Sequence, residues 1–235
     1  MARPWTIVDF ALVWVGGFAG TWLFYGVGTM IGLDEGLIVL GLGGRYLGNL
    51  GVLWMLARRR ADSTLGLSIE PKDIRYVGLG ILIQIASAIL IEPLARILFP
   101  DGPPPQQIAE IISDPGASVM LKLSLFSAAV LLAPVTEELM FRGVLLRAME
   151  HRGRRIAMVI TALVFALVHL LGVDPDRFLA SAAVVAPPIF MLGLMLAWLT
   201  IREGRLGPAI FLHSGWNLLA ALVFLLPGEL LESVS

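Results

Sequence analysis

Residues 178–201, FLASAAVVAPPIFMLGLMLAWLTI, contain no charged side chain and are long enough to cross a lipid bilayer as one helix. About 20 apolar residues in α-helical form cover the hydrocarbon core of a membrane. No water is present there to hydrogen-bond the backbone, so a lipid-exposed segment of this kind has to be helical. This run therefore predicts a membrane-spanning helix.

Similar apolar runs occur along the rest of the chain. Of the 235 residues, 57% are hydrophobic and only 15% are charged, whereas soluble domains average roughly 25% charged residues. The other apolar runs are residues 5–31, 37–57, 74–99, 117 to about 140, 156–171 and 206–226. They leave no stretch for a sizeable soluble domain. The sequence predicts an all-α fold, a polytopic transmembrane helical bundle of about seven or eight helices.

The basic residues predict the orientation of this bundle. If the spans alternate, most of the 17 Lys and Arg residues fall in loops on one side, namely Arg3, Arg58, Arg59, Arg60, Lys72, Arg75, Arg142, Arg147, Arg152, Arg154, Arg155, Arg202 and Arg205. Such residues beside short loops mark the cytoplasmic face. We therefore expect an integral protein of the plasma (inner) membrane, with its N-terminus in the cytoplasm.

Composition also excludes several classes of function. The formal charge of −1 argues against nucleic acid as a partner, because a nucleic-acid-binding protein presents a net basic face. The absence of cysteine excludes disulfides, thiolate nucleophiles, cysteine-bound zinc and iron–sulfur clusters. Nothing in the sequence indicates a particular oligomeric state.

Three motifs place polar side chains inside the apolar runs of the second half. They are Glu137, Glu138 and Arg142 in TEELMFRG, His169 in FALVH, and His213 with Asn217 in FLHSGWN. A charge at the bilayer centre costs at least ~2.5–3.5 kcal/mol on insertion scales, so such residues are candidates for function. We divide the chain into N-terminal helices without a motif (residues 1–116), a core that carries the motifs (residues 117–226) and a short tail (residues 227–235).

The positions of Glu137 and His169 predict that the two side chains meet. Both are equally far along the chain from Gly153, where we expect a tight turn between a long helix, kinked near Pro134, and the next span. In an antiparallel hairpin, equal distances from the turn give equal depths in the membrane. We expect the pocket between them to open to the cytoplasm, because Arg142 follows Glu137 towards that side and should need water.

This arrangement of residues suggests hydrolysis. A glutamate and a histidine at one depth can hold and deprotonate a water that attacks a peptide carbonyl. His213 and Asn217 lie one helical turn apart and can stabilise the resulting oxyanion. Structural alternatives exist for single residues: Glu138 and Arg142 are spaced to pair along a helix at the cytoplasmic interface, and a lone intramembrane His or Asn can bond neighbouring helices.

The motifs resemble those of the CPBP intramembrane proteases, also called the CAAX protease or Abi family. The pattern of that family is E-E-x-x-x-R, then F-x-x-x-H, then H-x-x-x-N, on successive transmembrane helices. It is matched here by residues 137–142, 165–169 and 213–217. Other protease chemistries lack their signatures in this sequence, which has no H-E-x-x-H zinc motif and no G-x-S-x-G nucleophile elbow.

The resemblance implies a membrane-embedded endopeptidase that acts on peptide or protein substrates in a lipid bilayer. By that resemblance Glu137 is the general base, His169 holds the same water, and His213 and Asn217 form the oxyanion site. Glu138 and Arg142 are then a supporting pair. Two alternatives stay open: a non-catalytic membrane protein of the immunity or scaffold type, and a proton-coupled transporter.

The need for a metal stays open as well. Glu137, His169 and His213 suffice for a catalytic zinc with a free coordination position. The neighbouring Arg142 and the lack of any standard zinc spacing favour a glutamic mechanism without a cofactor.

Overall fold

The computed structural model describes residues 4–33, 36–59, 65–100, 111, 114 and 116–225, without the side chains of residues 224 and 225. These residues form seven main helices and no strand: α1 (Ile7–Met30), α2 (Gly36–Arg58), α3 (Arg75–Leu98), α4 (Val119–Arg152), α5 (Arg154–His169), α6 (Phe178–Glu203) and α7 (Gly207–Leu225). The first six are long and apolar enough to cross a membrane when the short 3-10 turns beside α3 and α5 are included. The prediction of an all-α, polytopic bundle is confirmed. Arg3, Arg60 and the tail 227–235 lie outside the described residues.

The outer surface of the bundle is apolar, as a lipid environment requires. Trp22, Met30, Leu90 and Leu179 expose between 71% and 87% of their side chains. Large apolar patches of this kind are rare on soluble monomers. Contact with lipid accounts for these exposed apolar side chains.

Glycines bring the backbones of α1 and α2 into contact. A Cβ atom built on Gly20 would fall on the carbonyl oxygen of Gly44, and one built on Gly44 would fall on that of Gly20. One turn away, a Cβ at Gly48 would meet the backbone oxygen of Gly16. Small residues four apart allow such close approach between membrane helices. The pair α1–α2 is thereby fixed as one side of the bundle.

Helix α7 is held in the same way against α3. A Cβ at Gly215 would clash with the backbone of Val77, and one at Gly80 would clash with the carbonyl oxygen of Leu212. His213 lies between these two contacts on α7. The close packing therefore fixes the depth and the rotation of the helix that carries His213.

Helix α4 is long and irregular. Two π-helical segments, Ala128–Leu132 and Leu139–Leu145, interrupt it, and π-turns inside α-helices are frequent at functional sites. Pro134, where we predicted a kink, lies two residues after the end of the first of them. The chain then reverses at Gly153, whose φ of 97° is unfavourable for residues with a Cβ atom. The predicted turn is confirmed, and α4 and α5 form the antiparallel hairpin.

A buried ion pair joins two loops at the arginine-rich end of the bundle. Arg205 donates to both carboxylate oxygens of Asp73, at 2.5 and 2.7 Å, and its Nε lies 3.1 Å from Glu70. The hydrogen bond to Asp73 raises the pKa of Arg205 above its usual value. The pKa of Glu70 is lowered, chiefly by its hydrogen bond with Lys72. The loop before α3 is thus fixed to the turn between α6 and α7.

Candidate active site

Glu137, His169 and His213 converge on one point in the bundle. The Oε2 atom of Glu137 lies 4.0 Å from Nε2 of His169 and 3.8 Å from Nε2 of His213. This oxygen is buried and has no hydrogen-bond partner among the described residues. The prediction that Glu137 and His169 meet across the α4–α5 hairpin is confirmed by these positions. The gaps are too long for direct hydrogen bonds and leave a place for a small polar molecule.

The ring of His169 is oriented by the carbonyl oxygen of Phe165, one turn earlier in α5. The distance from Nδ1 of His169 to that oxygen is 2.7 Å. A carbonyl only accepts hydrogen bonds, so Nδ1 carries the proton. In the neutral ring, Nε2 is then a free acceptor that faces Glu137. Glu137 and His169 together present two acceptors to the same point.

Glu138, adjacent to Glu137, is entirely buried and accepts two hydrogen bonds at one oxygen. Its Oε1 atom lies 2.9 Å from Nη1 of Arg142 and 3.0 Å from Nδ1 of His213. Arg142 donates a further hydrogen bond to the carbonyl oxygen of Gly193 in α6, at 3.0 Å. The predicted pairing of Glu138 with Arg142 is confirmed. Its location differs from the interfacial alternative, because neither side chain has any exposed surface.

Phe165 packs against the charged groups and fixes their relative positions. Its ring lies 4.6 Å from the Cζ atom of Arg142, 4.6 Å from the His169 ring and 5.6 Å from the His213 ring. Phe141 stacks edge-on against it at 5.0 Å. A cation over an aromatic face is stabilised by the ring quadrupole, more strongly away from water. Phe165 therefore contacts three of the six residues of the motifs.

Asn217 lies one turn beyond His213 on α7. Its Nδ2 atom donates to the carbonyl oxygen of Ala129 at 2.8 Å, and Ala129 belongs to the first π-helical segment of α4. A side-chain amide has two N–H donors, so this bond leaves one N–H available. Asn217 is also among the residues that line the cavity.

The cavity itself has a volume of about 570 Å³, within the range of sites that enclose a small ligand. Glu137, His169 and Asn217 line it from the second half of the chain. From the first half, Trp14 of α1 and Arg45, Tyr46 and Asn49 of α2 contribute to the wall. Residues 1–116 carry no recognised motif, so the motifs did not predict that these side chains line the site. Arg45 could have been found, because it is a charge in the middle of an apolar run.

The cavity lies at the end of the bundle away from the arginine-rich turn at residues 152–155. It is lined by His169 and Gly172 at the C-terminal end of α5 and by Asn217 and Ala221 in the second half of α7. These lining residues lie in the half of the bundle away from that turn, and the expected opening on the side of Arg142 stays a prediction. Glu138 and a backbone carbonyl bind the Nη1 and Nη2 atoms of Arg142, while its buried Nε has no hydrogen-bond partner among the described residues.

This position affects the predicted orientation. Helix α5 begins at the arginine-rich turn and ends at the cavity. The distribution of basic residues favours the cytoplasm for the arginine-rich turn. If that turn is cytoplasmic, the cavity lies in the opposite half of the membrane.

Cysteine labelling tests this arrangement, because the natural chain has no cysteine. Glu150 is exposed at the arginine-rich turn, and Leu171 is 74% exposed beside the cavity. We expect a membrane-impermeant maleimide to label Glu150→Cys from the cytoplasm only and Leu171→Cys from the other side only. Labelling of both cysteines from the same side of the membrane would contradict the antiparallel hairpin of α4 and α5. Labelling of each from the reverse side would contradict the orientation alone.

A zinc ion would need closer ligands than these residues provide. Bonds of about 2.0–2.2 Å to a tetrahedral zinc place ligand atoms roughly 3.3–3.5 Å apart, whereas Glu137 Oε2 is 3.8 and 4.0 Å from the two histidine nitrogens. Within the described ranges, no group of three or more His, Cys, Asp or Glu side chains has the arrangement of a metal site. The residues do not fit the ion in this geometry, and we derive no step through a metal.

Comparison with known proteins supports the family resemblance that the three motifs indicate. Residues 119–219 match the family model described as Type II CAAX prenyl endopeptidase Rce1-like. The match spans all three motifs and confirms the resemblance to the CAAX protease family. No curated protein and no solved structure gives a significant match to the chain. The second half of the chain is thus similar to a membrane CAAX protease.

Proposed function

We propose that the chain is a membrane-embedded endopeptidase that hydrolyses peptide bonds of membrane-associated or peptide substrates. One observation carries this proposal. The unpartnered carboxylate oxygen of Glu137 lies at 3.8 and 4.0 Å from two imidazole nitrogens beside a cavity. A water molecule at that point would have acceptors for both of its protons. The match of residues 119–219 to the Rce1-like family supports the same reaction class.

The first step is the attack of this water on the substrate. Glu137 takes one proton from the water as general base, while Nε2 of His169 accepts a hydrogen bond from the other. The water oxygen forms a bond to the carbonyl carbon, and the electron pair of the C=O bond moves to the carbonyl oxygen. Positioned proton transfer of this kind contributes roughly 10²–10⁴-fold to a rate.

The second step is the collapse of the tetrahedral intermediate. In this proposal His213 enters and leaves the reaction as the imidazolium: its Nδ1 donates to Glu138, and its Nε2–H and the free N–H of Asn217 donate to the oxyanion. The carbonyl re-forms, the C–N bond breaks, and the leaving amine takes the proton that Glu137 carries. Glu137 returns to its ionised form, so the proton count balances.

Arg142 acts through Glu138 and is a positioning residue. Its hydrogen bonds to Glu138 and to the carbonyl oxygen of Gly193 hold α4 against α6. A carboxylate fixed in this way presents a single oxygen to His213. The buried pair therefore sets the orientation of the His213 ring.

A comparison of membranes tests the proposed function. Cells that produce the wild-type protein or the Glu137→Ala variant are analysed for new peptide termini by mass spectrometry. We expect a set of termini that is present with the wild type and lost with the variant. Glu150→Ala, an exposed change on the same helix, is the matched control and should keep those termini. Identical termini with all three proteins would contradict the proposal and favour the non-catalytic alternative.

A further inference from the structure

Arg45 is a cation in the cavity that the proposed reaction does not use. It lies roughly midway along α2 and lines the cavity together with Glu137 and His169. A guanidinium at that depth in a membrane span is costly and indicates a role in function.

The surroundings of Arg45 leave its hydrogen-bond donors free. Its Cζ atom lies 5.4 Å from the ring of Trp14 and 5.9 Å from that of Phe18. In the described part of the chain, Arg45 has no hydrogen bond and no carboxylate within 4.0 Å. Arg142, by contrast, binds a carboxylate and a backbone carbonyl. Arg45 therefore has a half-buried charge that is backed by aromatic rings and lacks an anion.

We propose that Arg45 binds a carboxylate of the substrate peptide and so selects the bond that lies next to Glu137. This inference rests on the proposed function. A planar guanidinium matches a carboxylate through two parallel hydrogen bonds. The cavity of about 570 Å³ takes a short peptide segment, whose own anions are the terminal carboxylate and acidic side chains. Because Arg45 and Glu137 line one cavity, a peptide bound at Arg45 is fixed in register with the water.

Equilibrium binding tests the inference without the need for turnover. The probes are three dansylated tetrapeptides built from valine, isoleucine and leucine. The free acid has a free C-terminus, the plain amide has a C-terminal amide, and the aspartate amide is the same amide with one internal aspartate. The full chain carries Glu137→Gln and is reconstituted in nanodiscs, so that bound peptide is not cleaved. We expect the free acid to bind at least tenfold more tightly than the plain amide.

Variants of Arg45 assign that difference to its charge. Glu137→Gln with Arg45→Gln should bind acid and plain amide equally, and Arg45→Lys should keep part of the preference. Arg58→Gln is the matched control, because Arg58 lies on the same helix, stacks on Trp54 at 4.4 Å and is not among the residues that line the cavity. It should leave the preference unchanged. Tight binding of the aspartate amide would identify a side-chain carboxylate as the anion.

The outcomes separate this inference from the proposed function. Equal affinity of the parent protein for the acid, the plain amide and the aspartate amide, or no binding of any peptide, would overturn the role of Arg45 even if the wild type cleaves peptides. The protein could instead show a carboxylate preference that requires Arg45 and yet cleave no peptide. That result would support the binding site at Arg45 and contradict the proposed endopeptidase activity. The acid–amide comparison needs no Arg45 variant, so it stands even if Arg45→Gln fails to fold.

Discussion

Replacement of Glu137 by glutamine is expected to lower the turnover number for peptide hydrolysis at least 100-fold, with little change in KM. The amide keeps the shape of the side chain and can still hydrogen-bond a water, but it cannot take the proton. A loss that appears in kcat and not in KM marks an interaction made only in the transition state. Steady-state kinetics of the purified protein in nanodiscs measures both constants.

Two controls accompany this variant. Glu150→Gln changes an exposed carboxylate on the same helix and should keep the wild-type turnover. The melting temperature of Glu137→Gln should equal that of the wild type within a few degrees, because Glu137 is 28% exposed and forms no direct hydrogen bond through the buried oxygen. A variant that keeps more than a tenth of the wild-type turnover would remove Glu137 from the role of base.

Replacement of Arg142 by alanine is expected to reduce stability rather than turnover alone. Glu138 would be left as a buried carboxylate with only His213 to bind it, and Gly193 would lose its hydrogen-bond donor. Removal of one partner of a buried ion pair costs about 3–5 kcal/mol. We expect a lower melting temperature in nanodiscs and a smaller yield of folded protein.

A second ion pair with the same spacing gives the matched control. Glu92 and Arg96 pair one turn apart on α3, with 42% and 82% of their side chains exposed, and exposed pairs contribute little. Arg96→Ala should therefore keep the wild-type melting temperature. The double variant Glu138→Gln, Arg142→Met should melt above Arg142→Ala, because no unpaired charge remains. Equal melting of Arg142→Ala and the wild type would contradict the buried pair.

The sequence predicts much of the hairpin that carries the site. Apolar runs define the spans because lipid excludes an unpaired backbone, and Gly153 defines the turn because few other residues tolerate its φ. Equal distances from that turn then predict that Glu137 and His169 meet. These inferences depend only on helix rise and length, which vary little between proteins.

The rotation of each helix about its own axis is harder to predict from the sequence. The π-helical segments at Ala128–Leu132 and Leu139–Leu145 change the number of residues per turn. They accompany the complete burial of Arg142, a residue for which the sequence predicts contact with water. The Ala129 carbonyl that Asn217 binds lies in the first of them. A regular period of 3.6 residues does not predict these contacts.

The residues that line the cavity from α1 and α2 were not predicted from the sequence, for a different reason. Arg45 and Trp14 line the cavity from α1 and α2, two helices without a family motif that pack closely through glycines. Spacing within one segment does not reveal which other helices will surround it. The charge of Arg45 within an apolar run was the one local signal of this contribution.

Hydrolysis in ¹⁸O-labelled water tests the central claim most directly, namely that a water held by Glu137 attacks the peptide carbonyl. A peptide identified from the membrane comparison is incubated in this water with the purified wild-type protein or the Glu137→Gln variant. After one turnover, the mass of the product that carries the new C-terminus is measured by mass spectrometry. We predict one ¹⁸O atom in the new carboxylate with the wild type and no product above background with the variant. Labelled product at equal rates from both proteins, or none from the wild type, would contradict the account.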